Sequence, residues 1–239
     1  MLLQSALRLI YPPCCIACGV PVAGEFGLCG PCWGEAGFLS GLACDACGVP
    51  LPGTGGGAQH CDVCLASPRP WARGRAAMLY GGTTRRLVLG LKHGDRTDLA
   101  RPLGHWLARA ARPLVGPGTL IAPVPLHWRR LVARRFNQSA LLARTVAREL
   151  GAECCPDLLV RRRATRPLEG MTRIERQATL VDAIAPHPRR GARARGRPVL
   201  LIDDVLTSGA TLAAATAAAL EAGAARVDVA VLARVARDA

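Results

Sequence analysis

From about residue 75 the chain alternates short apolar runs with Ala/Arg/Leu-rich stretches. Residues 119–124 (TLIAPV) and 198–203 (PVLLID) are apolar almost without interruption. Continuous apolarity, as opposed to alternation, is expected of strands buried on both faces. Residues 226–233 (RVDVAVLA) add another strand. Between them, residues 137–150 predict an amphipathic helix with Leu141, Leu142, Val146 and Leu150 on one face and Gly151 as its stop. Residues 210–223 predict an alanine-rich helix whose small side chains let it lie close on a sheet. Strands alternating with helices imply a mostly parallel α/β sheet, which takes ligands beyond the carboxyl ends of its strands.

The front of the chain has a different texture. Nine of the 11 cysteines lie in residues 14–64, and eight of them form four CxxC knuckles: Cys15/Cys18, Cys29/Cys32, Cys44/Cys47 and Cys61/Cys64. Two intervening residues let both thiolates face one tetrahedral Zn²⁺ at about 2.3 Å. Four knuckles therefore make two sites. Sequential pairing is the simplest arrangement, and spacing alone leaves an interleaved one open. The phrases CIACGVP and CDACGVP read as two copies of one zinc-ribbon unit. A disulfide framework would need an export signal, and four evenly paired knuckles suit zinc better than an iron–sulfur cluster. Residues 14–66 carry few large apolar side chains, so metal binding, on the order of 10–16 kcal/mol in small peptides, would supply folding energy. Cys14 reads as a bystander and Cys154 and Cys155 as ordinary buried thiols. The run at 53–58 (GTGGGA) follows proline, lies between knuckles and reads as a linker, not a dinucleotide loop.

Charge sharpens the division. Residues 1–70 hold two basic and four acidic residues, whereas 71–239 hold 29 basic and 13 acidic, a formal +16. Such a surface favours polyanions: nucleotides, pyrophosphates, nucleic acid. Of the 31 basic residues 30 are arginine, and the single lysine, Lys92, is thereby a candidate site residue. No segment approaches the roughly 20 apolar residues that span a bilayer, so no membrane insertion is expected. The first residues carry Arg8 within a short apolar stretch and lack a cleavage signal, which predicts a cytoplasmic protein.

The sharpest chemistry lies in residues 201–212, LIDDVLTSGATL. Two adjacent acids end an apolar strand and are followed by a loop of hydroxyls and glycine at a helix start. Unit charges about 4 Å apart exchange roughly 4 kcal/mol at an effective dielectric near 20, so an acid pair beside an anion site needs a reason. A P-loop ATPase would require GxxxxGK[ST], and the sole lysine sits in LGLKH. Backbone amides and hydroxyls of residues 207–211 suit a phosphate monoester, and the carboxylates suit a sugar diol. A ribose 5-phosphate satisfies both.

IDDVLTSGATL resembles the 5-phosphoribosyl 1-pyrophosphate (PRPP) loop of type I phosphoribosyltransferases. The whole chain, from about residue 11 to 235, resembles the ComF family, which is associated with DNA uptake in bacterial competence. Val124-Pro125-Leu126-His127, Arg135-Phe136-Asn137-Gln138 and residues 165–176 (TRPLEGMTRIER) add to the likeness. The family often has Arg-Gly-Phe-Asn-Gln where this chain has Arg134-Arg135-Phe136-Asn137-Gln138, and often a glutamine at Leu168. The resemblance implies an α/β type I phosphoribosyltransferase-like parallel sheet flanked by helices, residues 75–236, behind a small double zinc-ribbon domain, residues 11–68. It implies two structural Zn²⁺ and Mg²⁺ with PRPP, and pentosyl transfer as the activity. Asp203 and Asp204 would hold the ribose hydroxyls; Thr207, Ser208, Gly209, Ala210 and Thr211 would wrap the 5′-phosphate. Residues 123–127 (PVPLH) would lie opposite, near the pyrophosphate, with Lys92, Arg135 and Arg176 as its candidate cations. His93 and His127 read equally as structural or catalytic. The alternative is a non-catalytic protein that binds single-stranded DNA or docks an uptake helicase. Its surface would be the arginines at 129–130, 134–135 and 161–163, with the near-neutral ribbons facing the protein partner.

Overall fold

The computed structural model describes residues 12–93, 96–163 and 183–236. Its core is a five-stranded, all-parallel sheet ordered β1-β7-β6-β2-β3. The strands are β1 (Gly74–Leu79), β2 (Leu120–Pro123), β3 (Glu153–Cys154), β6 (Pro198–Leu206) and β7 (Arg226–Arg234). A separate antiparallel pair joins β4 (Leu159–Arg161) to β5 (Ile184–Pro186). Helices α3 (Gly82–His93), α4 (Ala100–Ala111), α6 (Gln138–Leu150) and α7 (Ala210–Glu221) carry the connections, and the short α5 (Trp128–Arg134) precedes α6.

The continuous apolar runs follow from two buried faces. Leu200 and Ile202 of β6 join Ala230 and Leu232 of β7 in one core with Leu91, Leu103, Leu107, Leu142 and Val146 from α3, α4 and α6. The alternate residues Val199, Leu201, Val229 and Val231 join Leu212, Ala215, Ala218 and Ala219 of α7 in the other. The expected face of the 137–150 helix is borne out, with Asn137 as its N-cap and left-handed Gly151 as its end. The strand expected to end at 203 continues to Leu206, because β6 stays paired with β7 up to Leu206 opposite Arg234. Both acids therefore lie inside the central strand. Cys155 is fully buried, and burial pushes the Cys154 thiol up to about 11.

The cysteine-rich segment closes the sheet's first edge. Leu39 N–H donates to Ala77 O at 3.0 Å and Leu79 N–H to Gly37 O at 2.8 Å. Residues 37–39 thus satisfy backbone groups of β1 that would otherwise template aggregation. Trp71, Ala46, Cys47 and Cys64 share the core formed by α7 and β6. The two copies superimpose in their bonding: Cys15 N–H reaches Val20 O at 2.7 Å, and Cys44 N–H reaches Val49 O at 2.8 Å. Each second knuckle starts a one-turn helix, α1 (Gly30–Gly34) capped by Cys29 and α2 (Asp62–Ala66) capped by Cys61. Gly48 has φ +70°, and a methyl there would stand 2.6 Å from Ala76 N, so the ribbon meets β1 only because residue 48 lacks a side chain.

Arg135 ends α5 at φ +63°, the left-handed region, at the place where the family often carries glycine. A left-handed non-glycine residue costs about 1–2 kcal/mol, and a glycine returns about 0.4–1 kcal/mol of unfolded-chain entropy. Arg135→Gly is therefore expected to stabilise the fold by about 0.5–1 kcal/mol, raising Tm by about 2 °C. A drop in Tm by scanning calorimetry would refute the strain.

Candidate functional site

The cysteines form two clusters, Cys15/Cys18/Cys29/Cys32 and Cys44/Cys47/Cys61/Cys64, with the sulfurs of each within 4.8 Å of one another. The pairing is sequential. Zinc–sulfur bonds of about 2.3 Å in a tetrahedron place neighbouring sulfurs about 3.8 Å apart. Cys18 Sγ lies 3.6 Å from Cys29 Sγ, and Cys47 Sγ 3.7 Å from Cys61 Sγ. Amides face the sulfurs as thiolate ligands require. Burial alone would raise Cys15, but the amides of Cys29, Cys18 and Ala17 hold its thiol down to about 6. The Cys47 side chain and the amides of Cys61, Ala46 and Cys47 bring Cys44 to about 4 against burial. The donor set fits Zn²⁺ at both positions. Cys14 lies outside the clusters, exposed, its thiol donating to Pro12 O.

The second centre of chemistry opens beyond the carboxyl ends of the parallel strands. A cavity of about 390 Å³ is lined by Tyr80, Lys92, Pro125, Leu126, Gln138, Ser139, Arg161, Asp203, Asp204, Thr207 and Thr211. The acids are held mainly by the first turn of α6. Ser139 Oγ donates to Asp203 Oδ1 at 2.9 Å, and Gln138 Nε2 donates to Asp204 Oδ2 at 2.8 Å. Lys92, in the last turn of α3, puts Nζ 3.1 Å from the same Asp204 oxygen. Asp204 is 5% exposed and Asp203 half-buried. Burial, then the charge of Asp204, pushes the Asp203 carboxyl up to about 7, although Lys92 and two hydrogen bonds pull it back. Asp203 Oδ2 and Asp204 Oδ1 engage nothing among the described residues.

Beside the acids, residues 207–209 lead into α7. Gly209 is the N-cap, left-handed at φ +86° and without a side-chain cap. The first amides of a helix have no intrahelical acceptor; in α7 Ala210 N–H makes a long bond to Ser208 Oγ at 3.5 Å, and those of Thr211 and Leu212 are left open to an anion. Asn137 ties the opposite wall together, donating from Nδ2 to Val124 O at 3.1 Å while its Oδ1 accepts from Ser139 N–H.

The expected residues divide accordingly. Lys92, Asp203, Asp204, Thr207 and Thr211 meet at one cavity, with Ser208, Gly209 and Ala210 completing the adjoining turn. Arg135 is exposed between α5 and α6 and does not line the cavity, which takes Arg161 instead. His127 is buried as the N-cap of α5, its Nδ1 accepting from Arg129 N–H. Arg176, with the rest of residues 165–176, lies outside the described residues. Sequence reasoning gave Gln138 and Ser139 no role. Gln138 closes the Arg135-Phe136-Asn137-Gln138 motif, whereas the only signal for Ser139 was position, at a helix start beside Asn137.

A parallel sheet with an acid pair inside its central strand and a glycine-capped helix start just after it, behind two Cys₄ centres, defines a phosphoribosyltransferase-like domain joined to a double zinc ribbon. Comparison with known families agrees: a double zinc ribbon domain matches residues 6–65 and a phosphoribosyl transferase domain residues 137–239. The chain belongs to the ComF family. It is 32% identical to DNA utilization protein YhgH of Escherichia coli O157:H7, over 92% of this chain and 96% of that one. It is 28% identical to Competence protein F of Haemophilus influenzae, over 65% of this chain and 69% of that one. Among solved structures, glutamine phosphoribosylpyrophosphate amidotransferase of B. subtilis is 18% identical across 59% of this chain and 30% of that one, at TM-score 0.40.

The raised Asp203 carboxyl makes stability depend on pH. Its folded value near 7 lies above the ordinary 3.8, so the native state holds a proton that the unfolded chain has released between about pH 4 and 7. This group's stabilisation is complete below that window and lost as pH rises through 7. Asp203→Asn removes the loss, so its Tm gain over the parent should be larger at pH 8 than at pH 5. Parallel Tm curves for the two proteins would show that Asp203 ionises like an ordinary carboxyl.

Proposed function

We propose that the cavity binds Mg²⁺–PRPP and that the protein acts as a phosphoribosyltransferase-like component of DNA uptake. The observation that carries this is the pair of unengaged oxygens, Asp203 Oδ2 and Asp204 Oδ1, one turn from the open amides of α7. A ribose 2,3-diol bridges two such acceptors, and its 5′-phosphate then reaches residues 207–211. Magnesium would neutralise the pyrophosphate and let it approach the acids. Lys92 can exchange its bond to Asp204 for the pyrophosphate and stabilise leaving-group charge as the C1–oxygen bond breaks. Arg161 lines the same wall and can share that charge. The association with DNA uptake rests on the relatives, one named for DNA utilization and one for competence.

Calorimetric titration of Mg²⁺–PRPP into the zinc-loaded protein should show micromolar binding. The double variant Asp203→Asn/Asp204→Asn should lose at least about tenfold in affinity, since charge-assisted hydrogen bonds are each worth about 1.5–3 kcal/mol. No heat with the parent would overturn the reading.

One surface feature supports a second activity, binding of single-stranded DNA. Trp128 is 60% exposed on α5, with the Arg129 guanidinium 5.4 Å from its ring and Val132 exposed nearby. Stacking of a base on such a ring is worth about 1–3 kcal/mol and tolerates any sequence. Trp128→Ala should weaken binding of a short oligothymidine about tenfold and leave Mg²⁺–PRPP affinity unchanged; equal affinity for the oligonucleotide would exclude this helix from the contact.

A further inference from the structure

The phosphate loop is gripped from behind. Arg69, from the segment after the last knuckle, donates Nη1 to Ser208 O at 2.8 Å. Arg234, at the end of β7, donates Nη1 to Leu206 O and Thr207 O, each at 3.0 Å, and to Val235 O at 2.6 Å. Two guanidiniums thus occupy the three successive carbonyls of residues 206–208. Every described peptide is trans, so the N–H that follows each captured carbonyl points the other way. The amides of residues 207, 208 and 209 are turned from the arginines toward the opposite side of the loop. Thr207 borders both sides: the acid cavity in front, and behind it a cavity of about 260 Å³ lined by Arg69, Arg234, Leu51 and Cys61.

The grip is anchored on the second cysteine cluster. Trp71 Nε1 donates to Ala46 O at 2.6 Å, inside the knuckle turn between Cys44 and Cys47. A methyl on Gly209 would stand 3.0 Å from the Trp71 ring and 3.0 Å from Arg69 Nη1. The Arg69 guanidinium lies 5.7 Å from that ring. Arg234 is 7% exposed, and the buried Nε atoms of both arginines have no hydrogen-bond partner among the described residues. A buried cation needs a counter-charge. Four thiolates around Zn²⁺ would leave a formal charge of about −2, and Cys61 of the second cluster lines the same cavity as Arg69 and Arg234.

We propose that the second zinc–thiolate centre is a working part of the phosphate loop: it holds Arg234, Arg69 and Trp71, which in turn aim the amides of residues 207–209 at the ligand. Arg69, Trp71 and Arg234 are positioning residues that never touch it. The inference takes the identity of the ligand from the PRPP reading, but its mechanical content stands without ligand.

The test compares full-length, zinc-loaded parent with Arg234→Gln and Arg234→Lys by two ligand-free readouts. Hydrogen exchange over residues 206–212 should rise at least about fivefold in both variants, the lower bound usual for coupled sites, with strand 119–123 unchanged as the folding control. One of the two zinc equivalents should pass to a chelator faster in Arg234→Gln, and Arg234→Lys, which restores the charge but not the fork, should recover the parent rate. Unchanged loop exchange in Arg234→Gln would overturn the proposal. So would faster exchange with both zinc equivalents leaving at parental rates, because the loop would then be held without the metal. A uniform rise that includes strand 119–123 would also overturn it, by making Arg234 a general stabiliser. Failure of the parent to bind Mg²⁺–PRPP, with the exchange difference intact, would instead sink the functional reading alone.

Discussion

The repulsion between Asp203 and Asp204 is the constraint around which the domain is arranged. Both carboxyls line the same cavity, where the charge of Asp204 adds to burial in raising Asp203. Each is then compensated from one end of a helix. Gln138 and Ser139 come from the start of α6, and Lys92 comes from the end of α3. These helices pack on the same face of the sheet through Leu91, Leu142 and Val146, so the clamp is only as rigid as that core. The compensation is incomplete, since Asp203 still sits near 7. A sugar diol that donates to both free oxygens would complete what the protein leaves undone, which is how a destabilised acid pair becomes a specific site.

The zinc ribbons solve a different problem. Residues 12–70 supply few large side chains, and the parallel sheet would otherwise expose β1 as a raw edge. Metal centres give this segment a fixed shape without a core of its own, and residues 37–39 then cap the edge. The two copies do unequal work. The first meets α4 through Phe38, edge-on to Trp106 at 4.9 Å and backed by Trp33 at 4.5 Å, and meets α3 through Glu35, which accepts from Thr83 and Arg86. The second enters the core beneath the phosphate turn. A repeat that is nearly symmetric in sequence is thus asymmetric in placement.

Much of this was legible along the chain, and the exceptions have physical causes. Strands 119–124, 198–203 and 226–233 declared themselves because both faces are buried, and the knuckles because a tetrahedral ion fixes their spacing. β1 did not: GRAAML carries little β propensity and becomes a strand only through pairing with β7 and residues 37–39. The end of the central strand was read three residues short, because two charges look like a boundary until the pairing with β7 is known. Arg69 and Arg234 were two among 30 arginines. Arg69 meets Ser208 across 139 residues, a contact that no local pattern announces.

The lone lysine was legible for a reason that the site now explains. An arginine at position 92 could engage Asp204 with a planar two-pronged fork and would hold that carboxylate in a fixed geometry. An ammonium makes a compact, non-directional contact on a flexible stem, here 26% exposed at its side chain and bordering the cavity. It can neutralise Asp204 while the site waits and turn toward an incoming anion without breaking a bidentate pair. The arginines behind the loop face the opposite demand, since their task is to fix carbonyls in place. In a chain whose other basic side chains are all arginine, the one paired with Asp204 is the lysine, as the proposed exchange with pyrophosphate would require.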